Sequence, residues 1–238
     1  MGLIGKDSPA PGQGRNQRQR PDRQPETGAV TGRIILGPDC VAEGAAWLAD
    51  NDPVMARILI KAGPLPLRRS ADGFAALLDA IVGQQVSTAS ARAIWGRLQA
   101  AGLTEAALVA ASSEEDLRAQ GLSRQKARYA RALAEAQLDY DALRLAPTAH
   151  VLTTLTALPG IGPWTAQIYA MFALGHADVF APGDLALQEA ARLAYDLPSR
   201  PSAKALSALA ERWSPWRAVA ARALWAYYRE AKSREGIR

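Results

Sequence analysis

The sequence predicts an all-α protein. Apolar residues recur at helical spacing along most of the chain after residue 38, and the breaks between runs fall on glycine, proline and small polar residues. No alternating stretch long enough for a strand occurs, and no regular repeat. With 238 residues, 49% of them hydrophobic and 21% charged, the chain has enough apolar material for a sizeable core.

Residues 1–33 are rich in Gly, Pro, Gln and Arg and lack periodic apolar positions. They cannot bury enough surface to offset ordering entropy, so a disordered basic tail is expected ahead of a domain over 34–238. After Gly37-Pro38-Asp39 a helix carries Val41, Ala45, Trp47 and Leu48. Pro53 suits the first turn of the next, which Gly63-Pro64 ends. Ser70 or Asp72 is placed to cap a helix with Phe74, Leu77, Leu78, Ile81 and Val82. The polar break Gly83-Gln84-Gln85-Val86-Ser87 follows, and Ser87 caps a helix closed by Gly102. Short helices are predicted near 104–110 and 113–119. Ser123 caps another, with Arg124, Lys126, Arg128 and Arg131 read as a solvated face. Helices near 148–157, after Trp164, from Asp184, at 202–212 and at 215–231 complete the chain.

Composition narrows the chemistry. No apolar run reaches the ~18–20 residues of a membrane span. The start lacks a secretory signal pattern, and the lone Cys40 excludes an internal disulfide, a four-cysteine zinc site and an iron–sulfur cluster held within the chain; a cytoplasmic setting is expected. His150 and His176 are too far apart to suggest a metal site and are read as surface or cap residues. The net charge of +5 suggests a polyanionic partner, yet the first 33 residues supply +3 of it. A nucleic-acid function must therefore rest on a motif.

That motif is Leu158-Pro159-Gly160-Ile161-Gly162-Pro163-Trp164-Thr165-Ala166, with Asp184 further along. Gly160 and Gly162 permit positive φ and leave amides uncovered, and the turn opens into a helix whose dipole favours an anion such as phosphate. By spacing alone, a plain helical hairpin fits equally well.

Taken together, Leu158–Ala166, Asp178-Val179-Phe180-x-Pro182-x-Asp184, Gly83-Gln84-Gln85-Val86-Ser87 and the tail Arg212-Trp213-x-Pro215-Trp216-Arg217 with Trp225 resemble the helix–hairpin–helix DNA glycosylases, in particular the 3-methyladenine DNA glycosylase II branch in compact form. The resemblance covers about residues 38–230. It implies two helical subdomains flanking a cleft, one of about 70–165 and the other of about 38–66 plus 166–231. It implies a monomer acting on double-stranded DNA, with no required cofactor and a monovalent cation on the hairpin carbonyls.

By the same resemblance Asp184 is the catalytic aspartate, either stabilising the sugar cation or orienting water, while a plain helix cap is its local reading. Trp164 stands where backbone-cleaving relatives carry a Schiff-base lysine, so lyase activity is not expected. Its ring suits an electron-poor alkylated purine, a contact of about 0.5–2 kcal/mol. Tyr169 and Trp225 serve as further walls or as core. Gln84, Leu158, Gly160, Ile161, Gly162 and Thr165 are expected at the DNA. Gln85 stands where relatives place an apolar wedge, and the pair Gln84–Gln85 reads equally as a gap-filling loop or a surface turn. The expected activity is removal of 3-methyladenine and 7-methylguanine. A glycosylase for deaminated or oxidised bases and a non-catalytic DNA-binding module are the alternatives.

Overall fold

The computed structural model describes residues 32–235. The expected tail lies outside the described residues as far as position 31. Arg33 is described: its carbonyl accepts the Ala177 amide at 2.9 Å and its guanidinium lies 4.5 Å over the Trp216 ring.

Thirteen α-helices are present among the described residues, with no strand beyond one isolated bridge between Ile34 and His176. They are α1 (Pro38–Asn51), α2 (Pro53–Ala62), α3 (Phe74–Gly83), α4 (Thr88–Ala100), α5 (Ala106–Ala111), α6 (Glu114–Ala119), α7 (Arg124–Glu135), α8 (Tyr140–Leu145), α9 (Thr148–Thr156), α10 (Pro163–Tyr169), α11 (Leu185–Ala194), α12 (Ala203–Ala210) and α13 (Arg217–Glu235). A π-helical turn, Ala170–Leu174, continues α10. The caps explain the boundaries. Ser87, Ser123 and Ser202 each accept an amide of the first turn, and Ser113 with Asp116 closes a reciprocal capping box. Asp52 does the same for α2, accepting from Val54 and Met55. Its other oxygen accepts the Tyr195 hydroxyl at 2.6 Å and the Trp213 indole at 3.2 Å.

Two groups of helices share packing partners. Helix α13 packs on α1, α2 and α11, while α3 packs on α4 and α7, and α7 in turn on α5 and α6. The hairpin helices α9 and α10 pack on each other. Leu48, Met55, Trp213 and Leu224 lie in the core beside the first set, and Leu77, Ile81, Leu98 and Leu133 beside the second.

Four local expectations are corrected. Neither Ser70 nor Asp72 caps α3, whose N-cap is Gly73 without a side-chain bond. Arg144 takes the Asp72 carboxylate, and the Gly73 amide donates to the Tyr169 hydroxyl at 2.8 Å. Helix α8, capped by Asp139, is an element the periodicity did not reveal, because six residues carry less than two turns of pattern. His176 is neither surface nor cap but buried, with Nδ1 2.7 Å from the Thr148 hydroxyl; burial holds its imidazole below the ordinary value. Lys126 is not wholly solvated: its ammonium donates to the Val82 carbonyl at 2.7 Å, and burial pushes its pKa down.

Candidate active site

The hairpin between α9 and α10 is set by one glycine more than the other. Gly160 has φ +88°, and a Cβ there would lie 2.4 Å from the Tyr129 ring. Gly162 has φ −82°, is extended, and has no heavy atom near its missing Cβ. The expectation of positive φ at both is therefore met only at Gly160, because only that residue must turn the chain against a packed ring. The turn closes through the Ile161 amide donating to the Leu158 carbonyl at 3.1 Å. Pro163 then opens α10 at N1, where its missing N–H costs nothing. Ile161 and Thr165 are buried and Leu158 is half-buried, so a partner at this turn meets backbone rather than those side chains. Gln84, just past the end of α3, donates its amide to the Gly160 carbonyl at 2.8 Å and ties the polar loop to the hairpin.

Asp184 caps α11. One oxygen accepts from the Ala186 and Leu187 amides at 2.9 and 3.0 Å and from the Trp225 indole at 3.3 Å; the other accepts from the Trp164 indole at 2.9 Å. Side chains from α10 and α13 thus converge on the end of α11, and all four bonds come from uncharged donors. The Trp225 ring lies 5.8 Å from that of Phe172, and the buried Arg222 guanidinium lies 4.8 Å over Phe172. Arg222 donates to the Leu67 and Ala218 carbonyls, and burial pulls it down to about 10.

Trp164, still 49% exposed, has a second role. With Tyr169, Ile168 and Trp95 it walls a cavity of about 510 Å³, floored by small residues of α3. That volume admits a purine ring. Desolvation raises the pKa of Tyr169 and so keeps its phenol protonated. A second concavity of about 540 Å³ lies between the polar loop, the hairpin and α7, and Lys126, Tyr129 and Gln125 face it. Gln84 borders both spaces; Gln85, in a left-handed backbone at φ +54°, borders only the second. The structure thus brings Trp164, Asp184 and Trp225 together and puts Tyr169 on the same cavity as Trp164, while Trp225, Asp184 and Gln85 do not line that cavity. Asp79, Trp95 and Tyr129 were not anticipated at the site. Their helical spacing looks the same as that of any half-buried residue.

A carboxylate held by fixed donors stabilises a cation that develops next to it, since donors already in place need not reorganise. A glycine turn with bare amides at a helix start binds a phosphate chain without reading sequence.

Comparison with known proteins gives a consistent set of matches. A family model described as "HhH-GPD superfamily base excision DNA repair protein" matches residues 78–215. A Mycobacterium tuberculosis protein named "Probable bifunctional transcriptional activator/DNA repair enzyme AlkA" is 31% identical over 208 residues, covering 81% of this chain. The chain spans only 41% of that relative's length. The crystal structure of a DNA-3-methyladenine glycosidase from Bacillus halodurans superimposes with a TM-score of 0.73 at 31% identity, over 84% of this chain and 94% of that one. A Schizosaccharomyces pombe 3-methyladenine DNA glycosylase in complex with abasic DNA gives 0.66 at 26% identity, over 77% and 95%.

Proposed function

As the chain belongs to the HhH-GPD superfamily of base excision DNA repair proteins, we propose that it is a monofunctional DNA glycosylase that removes alkylated purines from duplex DNA. The observation that carries this reading is the Asp184 carboxylate, held by the Trp164 and Trp225 indoles, with Trp164 itself walling the aromatic cavity. The hairpin amides grip the backbone, and the target nucleotide leaves the stack because its sugar bond is otherwise out of reach. Gln84 and Gln85 border the space beside the hairpin and occupy the gap. The flipped base lies in the cavity against Trp164 and Tyr169. As the base departs with the bonding electrons, Asp184 stabilises the sugar cation; water adds to that carbon and loses a proton, leaving an abasic strand.

Trp164 carries no amine, so the strand is left uncut. The helical groups around α3 and α13 are the two subdomains, and the cleft between them holds the site. The Pro159 and Ile161 carbonyls, without an internal donor among the described residues, suit a monovalent cation that would steady the turn. The protein acts as a monomer in the cytoplasm; among the described residues no helix is long and apolar enough to cross a membrane.

The test is release of base from methylated duplex DNA, resolved by chromatography. Free 3-methyladenine and 7-methylguanine are the expected products. Tight DNA binding with no released base would leave a non-catalytic module instead.

A further inference from the structure

The cavity beside Trp164 contains a carboxylate with no task in the reaction just described. Asp79 lies on α3, and Ala75, Ala76 and Gly83, one turn before or after it, line the same wall. Those neighbours are small, so Asp79 is the one long polar side chain that α3 presents there. The carboxylates of Asp52, Asp72, Asp178 and Asp184 are each held by side-chain donors. Asp79 is exposed where it borders the cavity; among the described residues no donor or cation is paired with its carboxylate, and partial desolvation pushes its pKa up. An unpaired carboxylate lining the same concavity as the Trp95, Trp164 and Tyr169 rings is matched by a flat, delocalised cation.

We propose that Asp79 is the specificity-determining residue of this cavity, pairing with the positive charge of a ring-alkylated purine. The assignment rests on the reading of the chain as an alkylpurine glycosylase. Stacking on Trp164 and Tyr169 accepts any flat base, whereas alkylation of a purine ring nitrogen leaves the nucleotide cationic. Asp79 therefore separates the lesion from the neutral purines around it. Its contribution has a distinctive kinetic form. As the sugar bond breaks, the bonding electrons neutralise the base, so Asp79 attracts the bound substrate more than the transition state. Its charge thus lowers KM without raising kcat. The same neutralisation loosens the product.

Two measurements test this with the full chain. In the first, quenching of tryptophan fluorescence follows binding of 7-methylguanosine, at mildly acidic pH where it is a cation, and of neutral guanosine. The parent protein prefers the cation by roughly tenfold or more, Asp79→Asn loses the preference, and Asp79→Glu keeps it. In the second, base release from DNA carrying 7-methylguanine is compared with release from DNA carrying hypoxanthine. Asp79→Asn raises KM for the methylated lesion by a similar factor, leaves kcat at or above the parent value, and leaves hypoxanthine release unchanged. Equal binding of the two nucleosides by the parent, no quenching by either, or an unchanged preference in Asp79→Asn overturns the proposal. A fall in kcat for both lesions also overturns it. If the parent releases no methylated base yet shows the Asp79-dependent preference, the glycosylase reading fails and the cation site stands. If release is normal and Asp79→Asn behaves like the parent, the reverse holds.

Discussion

The two hairpin glycines should respond differently to the same added methyl group. Gly160→Ala places a Cβ on a backbone at φ +88°, a left-handed conformation that costs a side chain about 1–2 kcal/mol. That Cβ would also lie 2.4 Å from Cγ and Cδ2 of Tyr129 and 2.8 Å from its Cβ. The ring must shift, and its hydroxyl is tied to Gln125, so overpacking adds about 1–3 kcal/mol. The sum, about 2–5 kcal/mol, is a large part of an ordinary domain's stability of about 5–15 kcal/mol, and leaves the variant folded but weakened. Gly162→Ala meets no atom within 4 Å at φ −82° and loses only part of a helix cap, at most about 1 kcal/mol. Urea unfolding followed by tryptophan fluorescence measures both. Fluorescence anisotropy with labelled duplex DNA, at several salt concentrations, measures the second consequence. Gly162→Ala should bind DNA more weakly while keeping its stability, because its methyl group enters the open space where, in the proposed function, a phosphate docks. Equal stability losses at the two positions, or a Gly160→Ala protein as stable as the parent, would refute the assignment of the turn to Gly160 and Tyr129.

Further predictions concern the site and the core. Asp184→Asn keeps an oxygen for the α11 amides and should preserve folding and DNA affinity while slowing single-turnover base release by about a hundredfold or more; release at the parent rate would reduce Asp184 to a cap. Incubation with lesion DNA and borohydride should trap no covalent adduct and show no nicking before alkali, since the hairpin offers Trp164 in place of an amine; a trapped adduct would restore lyase chemistry. Burial holds the His176 pKa below 6.5, so the native state favours the neutral ring. Its stabilising effect is full above pH 6.5 and is lost as pH falls through the lower folded value, because the unfolded chain binds the proton first. The urea midpoint of the parent should decline across that window and that of His176→Gln should not; parallel curves would show that another group titrates.

The helices were legible because their causes are local. Pro53 at a first turn, serines 87 and 123 at caps, and Asp184 ahead of Leu185 are signals within one or two turns of the element they start. The six residues of α8 fell below the length at which periodicity speaks. At α3 the expected cap was outbid: Arg144 draws the Asp72 carboxylate away, and Arg144 lies 72 residues further along the chain.

By itself the sequence determined an all-α chain, the place of the glycine hairpin and the residue types at Trp164 and Asp184, since all of these depend on neighbours a few positions away. Only the tertiary structure decided what those side chains touch. It placed the Trp225 indole on Asp184 across 41 residues, the Gln84 amide on Gly160 across 76, and the Tyr129 ring where it leaves room for glycine alone. It also buried His176 and set Asp79 on an aromatic cavity without a counter-charge. Periodicity reports which face of a helix is apolar, and it carries no record of which other helix will pack against that face. Partner, burial and local dielectric are fixed by that packing, and with them the chemistry each carboxylate can perform.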